Sequence, residues 1–194
     1  QNRGDQEPRQ TLPVKLEDAD TQIRIAAIGH VRRLSDTHDH LTSADLRAGF
    51  EFEGQRIPLI NPQRGIFKPR QMLRLLSIRT VFPRSCAKVL YDDQRQVHKQ
   101  IYEGIEAVDY AFMGHDPDSA DNRWLREAME ARVPVIYFLG IAPGCYKAIV
   151  PAFIGEWDAK TLSSKVIFGL SSESTYELPN DTIQRRYALR QVKQ

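Results

Sequence analysis

Residues 133–141 form the longest apolar run in the chain, and they decide what it can fold into. A membrane helix needs about 18 such residues. This run is far shorter and is interrupted by Pro134 and Gly140. An apolar stretch without polar alternation, rich in Val and Ile, fits a strand enclosed in a core, so 133–139 reads as a buried strand. The rest of the chain has to supply that core. With 194 residues, 41% hydrophobic and 27% charged, it has the length and composition of one ordinary globular domain. Wholesale disorder, a collagen-like chain and a coiled coil are excluded on the same grounds.

Short helix and strand signals surround that strand. Ile23, Ile25 and Ala27 alternate with Arg24 and Ala26, which predicts a half-buried strand starting near Gln22. Thr42-Ser43-Ala44-Asp45 carries helix-capping chemistry and opens a short helix through Ala48, with Gly49 as its stop. Residues 50–60 read as a hairpin turning at Glu53-Gly54. Residues 61–69 read as a loop fixed by Pro62 and Pro69 and freed at Gly65. Further strands are expected over 72–82, 108–113, 146–157 and 165–170, and helices over 94–103, 121–132 and 181–194. In the helix read over 121–132, Trp124, Leu125, Ala128 and Met129 share one face, and Asn122 is expected to cap its 123–132 part. The sum is an α+β chain, expected as a strongly bent β-sheet or barrel flanked by helices. Residues 1–20 read as a flexible arm, 21–170 as the domain, and 171–194 as a linker and C-terminal helix leading to a domain outside this chain.

Two cysteines, Cys86 and Cys145, do not make a disulfide framework or a zinc-finger spacing. With no visible signal peptide, a cytoplasmic location is expected and no membrane is implied. His38-Asp39-His40, with His30 nearby, is more often a solvated turn than a metal site. His98, Tyr102 and Glu103 could imitate an acid/base set on one helix, but no phosphate-cradling glycine loop, nucleophile elbow or zincin motif accompanies them. No catalytic residue, metal or cofactor is expected in this chain.

The formal charge is only +2, which argues against a strongly basic nucleic-acid binder until its distribution is read. Between Gly54 and Tyr91 there is no Asp or Glu, while Arg56, Arg64, Lys68, Arg70, Arg74, Arg79, Arg84 and Lys88 all fall there. Such a segment suits a polyanion, whose phosphates supply most non-specific affinity. A solvated strand face whose arginines pair with acids elsewhere accounts for the same composition equally well.

Four motifs follow one another at and beyond this segment. The loop holding Gln63-Arg64-Gly65 comes first, then Tyr91-Asp92-Asp93, then Tyr110-Ala111-Phe112-Met113-Gly114. Asn122-Arg123-Trp124-Leu125 is last, with Pro134-Val135 following at a twelve-residue offset from Asn122. Their order and spacing over about 61–157 resemble the SET-and-RING-associated (SRA) domain, a PUA-superfamily reader of modified cytosine. The 61–69 loop and the basic C-terminal helix look like the SRA-like modules that precede HNH nuclease domains in bacterial modification-dependent restriction endonucleases. The resemblance implies binding of double-stranded DNA and flipping of a 5-methyl or 5-hydroxymethyl cytosine into a pocket. It assigns Tyr91 and Phe112 as stacking planes and Asp93, with Asp92 second, as acceptor for cytosine N4. Tyr110 and Gly114 also line the pocket, and Gln63, Arg64 and Gly65 form the wedge that fills the vacated position. Lys68, Arg70, Arg74, Arg84, Lys88 and Arg123 are expected at phosphates. A homodimer through the C-terminal domain is left open.

The chain departs from the family pattern in several places. Phe112 stands where the family has tyrosine, Val89-Leu90 where it has Gly-Gly, and the loop before Asn122 is only His115 to Asp121. Gly144-Cys145-Tyr146 lies where the family has Tyr-Asp-Gly. On residue chemistry alone, Tyr91 and Phe112 also fit a core, and Asp92-Asp93 also fits a helix cap. The competing classes are a PUA-type RNA-binding module and an enzyme acting on nucleotides through His98 or the acidic pair.

Overall fold

A computed structural model describes residues 12–80, 107–111 and 114–168. In chain order the elements are α1 (Leu12–Thr37), β1 (Leu41–Thr42), α2 (Ser43–Ala48), β2 (Phe50–Phe52), β3 (Gln55–Ile57), β4 (Ile66–Phe67) and β5 (Ser77–Arg79). Then follow β6 (Ala107–Ala111), α3 (Ala120–Ala131), β7 (Val135–Ala142), β8 (Cys145–Asp158) and β9 (Ser163–Phe168). The apolar run is β7, and its lack of alternation has a reason in the packing. Val135, Tyr137 and Leu139 enter one core with Leu125 and Ala128 of α3. Ile136 and Phe138 enter a second core with Ile23, Ala27 and Val31 of α1. A strand whose successive side chains point to opposite faces must be apolar throughout when both faces are covered.

The main sheet runs β4-β5-β7-β8-β9-β6, with β1 added against β8. Among the described strands only β5 and β7 pair in parallel. Among the described residues the fold is mixed α+β, with the sheet curled into a half-barrel and flanked by helices. The curl brings opposite ends of the sheet order together: Tyr110 of β6 donates its hydroxyl proton to the Arg79 carbonyl on β5 at 3.2 Å. β8 serves both cores through an irregularity. Val135 pairs with Ala152 but Tyr137 with Ile149, so β8 carries one more residue than β7 over that interval. Tyr146, Ala148 and Val150 therefore face α1, whereas Ile149, Ala152 and Ile154 face α3.

Several local expectations hold. Thr42 caps α2 in a reciprocal box with Asp45, and Gly49 ends it with a φ of 64°. A Cβ on Gly49 would stand 1.9 Å from the Ile57 carbonyl oxygen, so only glycine fits. The hairpin turns at Glu53 and Gly54, both at positive φ, between Phe52 and Gln55.

Three expectations are corrected. The strand near Gln22 is instead part of α1, which starts at Leu12, within the stretch read as an arm. Asp20, Ile23, Arg24, Ala27, Ile28 and Val31 are all buried, a helical stripe. Ile25, whose alternation with Ile23 suggested a strand, is 46% exposed on the far side. Of the strand expected over 72–82, residues 72–80 are described, and of these only Ser77–Arg79 are β. Its first part docks on α1, where Asp20 Oδ1 accepts from the backbone amides of Leu73 and Arg74 at 2.7 and 3.0 Å. Asn122 does not cap α3, because Ser119 holds the N-cap position. Asn122 instead donates from Nδ2 to the Asp116 carbonyl at 2.7 Å, which holds the preceding turn closed.

Candidate nucleic-acid interface

The 61–69 loop is shaped from three directions. Within it, Asn61 Oδ1 accepts from the Gln63 amide at 2.8 Å, and Asn61 bridges to Arg64. From beneath, the Arg79 guanidinium donates to the carbonyls of Asn61 (2.9 Å), Pro62 (2.8 Å) and, at a longer 3.4 Å, Arg64. Its remaining Nη bond goes to the Tyr146 hydroxyl at 3.2 Å. From the side, Arg64 reaches both oxygens of Asp121 in the first turn of α3, at 3.1 and 3.2 Å. Asp121 lies at the positive end of a helix, which favours its charge. Further along the loop, Lys68 donates to the Met72 carbonyl and lies 5.4 Å over the Trp124 ring.

Tyr110 meets this loop from the other side. A Cβ on Gly65 would stand 2.8 Å from the Tyr110 hydroxyl oxygen and 3.1 Å from the Arg79 carbonyl oxygen, so any side chain there would have to displace the Tyr110 hydroxyl. Burial pushes the Tyr110 phenol well above its ordinary pKa; the positive charge of Arg79 opposes that shift and the negative charge of Asp121 adds to it. The phenol is thus a neutral hydrogen-bond donor beneath the loop. Gly114 is exposed at a φ of 67°, a left-handed turn position ahead of α3.

Gln63, Arg64 and Gly65, expected as a wedge, Tyr110, expected in a pocket, and the start of α3 are therefore brought together. Arg123 on α3 and Arg70 after the loop are exposed cations without an ion-pair partner among the described residues. Arg74 instead pairs with Glu17 of α1 at 3.1 Å, and Arg56 lies 3.6 Å from Glu51. Tyr91, Asp92, Asp93, Phe112, Arg84 and Lys88 lie outside the described residues, as do the helices expected over 94–103 and 181–194.

Sequence reasoning missed Arg79 and Asp121. Arg79 is one of eight cations in the acid-free segment, and in a short strand nothing local separates an arginine that faces carbonyls from one that faces water. Asp121 carried a faint signal, an acid in the first turn of a helix. Among the described residues no three His, Cys, Asp or Glu side chains gather around a metal-sized space. Nor is any described helix long and apolar enough to cross a membrane. No family model matches the chain, and no curated protein or solved structure matches it.

Proposed function

We propose that this chain is an SRA-like DNA-binding module that reads modified cytosine by flipping it from the duplex, in a modification-dependent restriction endonuclease whose HNH domain lies outside the chain. The observation that carries the reading is the convergence of the 61–65 loop, Tyr110 and the first turn of α3, segments far apart in sequence, held together by Arg79 and Asp121. In this reading Gln63 and Arg64 enter the duplex while Tyr91 and Phe112 stack the extruded base. Asp93, with Asp92 second, accepts from cytosine N4. Unstacking a base costs a few kcal/mol, which the wedge and the phosphate contacts offset.

The proposed phosphate contacts are fewer than the basic segment offers. Of the expected contacts, Arg74 pairs with Glu17, which leaves Lys68, Arg70 and Arg123 among the described residues. With Arg84 and Lys88 added, five contacts set a slope of log affinity against log salt no steeper than about −4.5.

The test is binding of methylated, hydroxymethylated and unmodified duplexes, and of a structured RNA, at fixed salt. Preference for a modified duplex is expected. Asp93→Ala should abolish that preference, while Arg70→Ala should weaken all duplexes alike and reduce the salt slope by about 1. Equal affinity for all three duplexes, or preference for the RNA, would overturn the reading.

A further inference from the structure

We infer that Arg79 is the positioning residue of the 61–65 loop, the group that sets the pose in which Gln63 and Arg64 are exposed and Arg64 reaches Asp121. The inference rests on the proposed role of that loop and adds to it the origin of the loop's shape. Arg79 is only 8% exposed, and its guanidinium makes four hydrogen bonds, three of them to consecutive or near-consecutive loop carbonyls. Its main chain holds the loop's far end as well, since the Arg79 amide donates to the Gly65 carbonyl at 2.8 Å. The loop's own resources are slight by comparison: one side-chain bond from Asn61, and an Arg64 amide contact to the Asn61 carbonyl stretched to 3.4 Å.

Turning the carbonyls of 61, 62 and 64 inward onto one cation leaves the side chains of Gln63 and Arg64 outside, and both residues are exposed. A planar fork with five donors can serve several acceptors at once, whereas an ammonium is a single point charge with three. Lysine is therefore a poor substitute here despite its charge. A loop already held in its binding pose loses less freedom on association, which is how an inward-facing arginine controls affinity for a ligand it does not touch.

The experiment uses the full chain with Arg79→Lys and Arg79→Met, each with and without Arg64→Ala. The first readout needs no ligand: the rate of trypsin cleavage at the Arg64–Gly65 bond, with cleavage after Arg47 and Arg123 in helices as the control for global unfolding. Arg79→Met should speed cleavage at Arg64 at least tenfold over the control sites, and Arg79→Lys should do so by less. If Arg79→Met fails to fold, Arg79→Lys alone should still speed cleavage at Arg64 by at least threefold. The second readout is affinity for the modified duplex. Arg64→Ala should weaken binding in the wild-type background and have no further effect once Arg79 is replaced, because the loop is already misplaced. A purely structural Arg79 would give the same Arg64→Ala loss in both backgrounds, and that result overturns the inference. Unchanged cleavage at Arg64 overturns it whatever the binding. If the wild type binds no nucleic acid but cleavage at Arg64 rises, the reader proposal fails and the positioning role of Arg79 stands.

Discussion

Replacing Asp20 by alanine should be among the most damaging single changes in this protein. Arg24 is 0% exposed and its only countercharge among the described residues is Asp20, at 2.9 Å one helical turn away. Without that carboxylate the guanidinium keeps two carbonyls, of Leu75 at 2.6 Å and Pro134 at 2.8 Å, but becomes an unpaired buried charge. Breaking a buried pair from one side costs roughly 3–5 kcal/mol. The amides of Leu73 and Arg74 lose their acceptor too, though water can reach this partly exposed segment, so their loss adds little. About 4 kcal/mol is expected, against a total stability of about 5–15 kcal/mol for a domain. With a urea m-value of about 2 kcal/mol/M, the unfolding midpoint should fall by about 2 M at an unchanged slope. The double variant Asp20→Ala/Arg24→Met removes the stranded charge and should be more stable than Asp20→Ala alone. A loss below about 1 kcal/mol for Asp20→Ala would refute the reasoning. So would a double variant as unstable as the sum of the two single changes.

Gly49→Ala should cost at least about 3 kcal/mol in the same urea assay, because its Cβ would fall 1.9 Å from the Ile57 carbonyl oxygen at a φ that L-residues disfavour. Thr42→Ala should cost about 1 kcal/mol by removing one half of the α2 capping box. Burial first, then the charges of Arg33 and Arg56, lower the His30 pKa below its ordinary 6.5. The unfolded chain therefore binds a proton at a higher pH than the folded one, so stability should decline as pH falls from about 6.5. His30→Gln should flatten that decline in urea midpoints measured across pH 5–8.

What the sequence made legible was set by neighbours close in the chain. The α2 cap, the Glu53-Gly54 turn and the apolar face of α3 each rest on residues within a few positions of one another. The two buried arginines were not legible, because their acceptors come from afar. Arg24 bonds to carbonyls 51 and 110 residues away, and Arg79 to carbonyls 17 and 18 residues back across a turn. The misreading of α1 has the same origin. Ile23-Arg24-Ile25 alternates like a strand, and it reads correctly only when Arg24 is the buried residue and Ile25 the exposed one, an inversion that Asp20, Leu75 and Pro134 make favourable. The motif residues of the candidate site were easy to find in the sequence, but the groups that hold them were not.

Those hidden groups change how the basic segment is to be understood. A run of eight cations without an acid looks like one electrostatic surface, yet the fold divides it. Arg79 supports the loop from within, Arg64 is tied to α3 through Asp121, and Arg74 helps to fasten α1 through Glu17. The absence of acids between Gly54 and Tyr91 follows from this arrangement as much as from any ligand. The countercharges Glu17 and Asp121 come from outside the segment, on helices at either side of the sheet, so each pair joins a helix to the strands. Arg64 can then serve two states. Its side chain is 54% exposed while Asp121's is 8% exposed, so a phosphate can approach the guanidinium from the solvent side without dislodging the carboxylate. A ligand can thus meet Arg64 from the solvent side while Asp121 keeps its hold and the loop backbone stays fixed on Arg79.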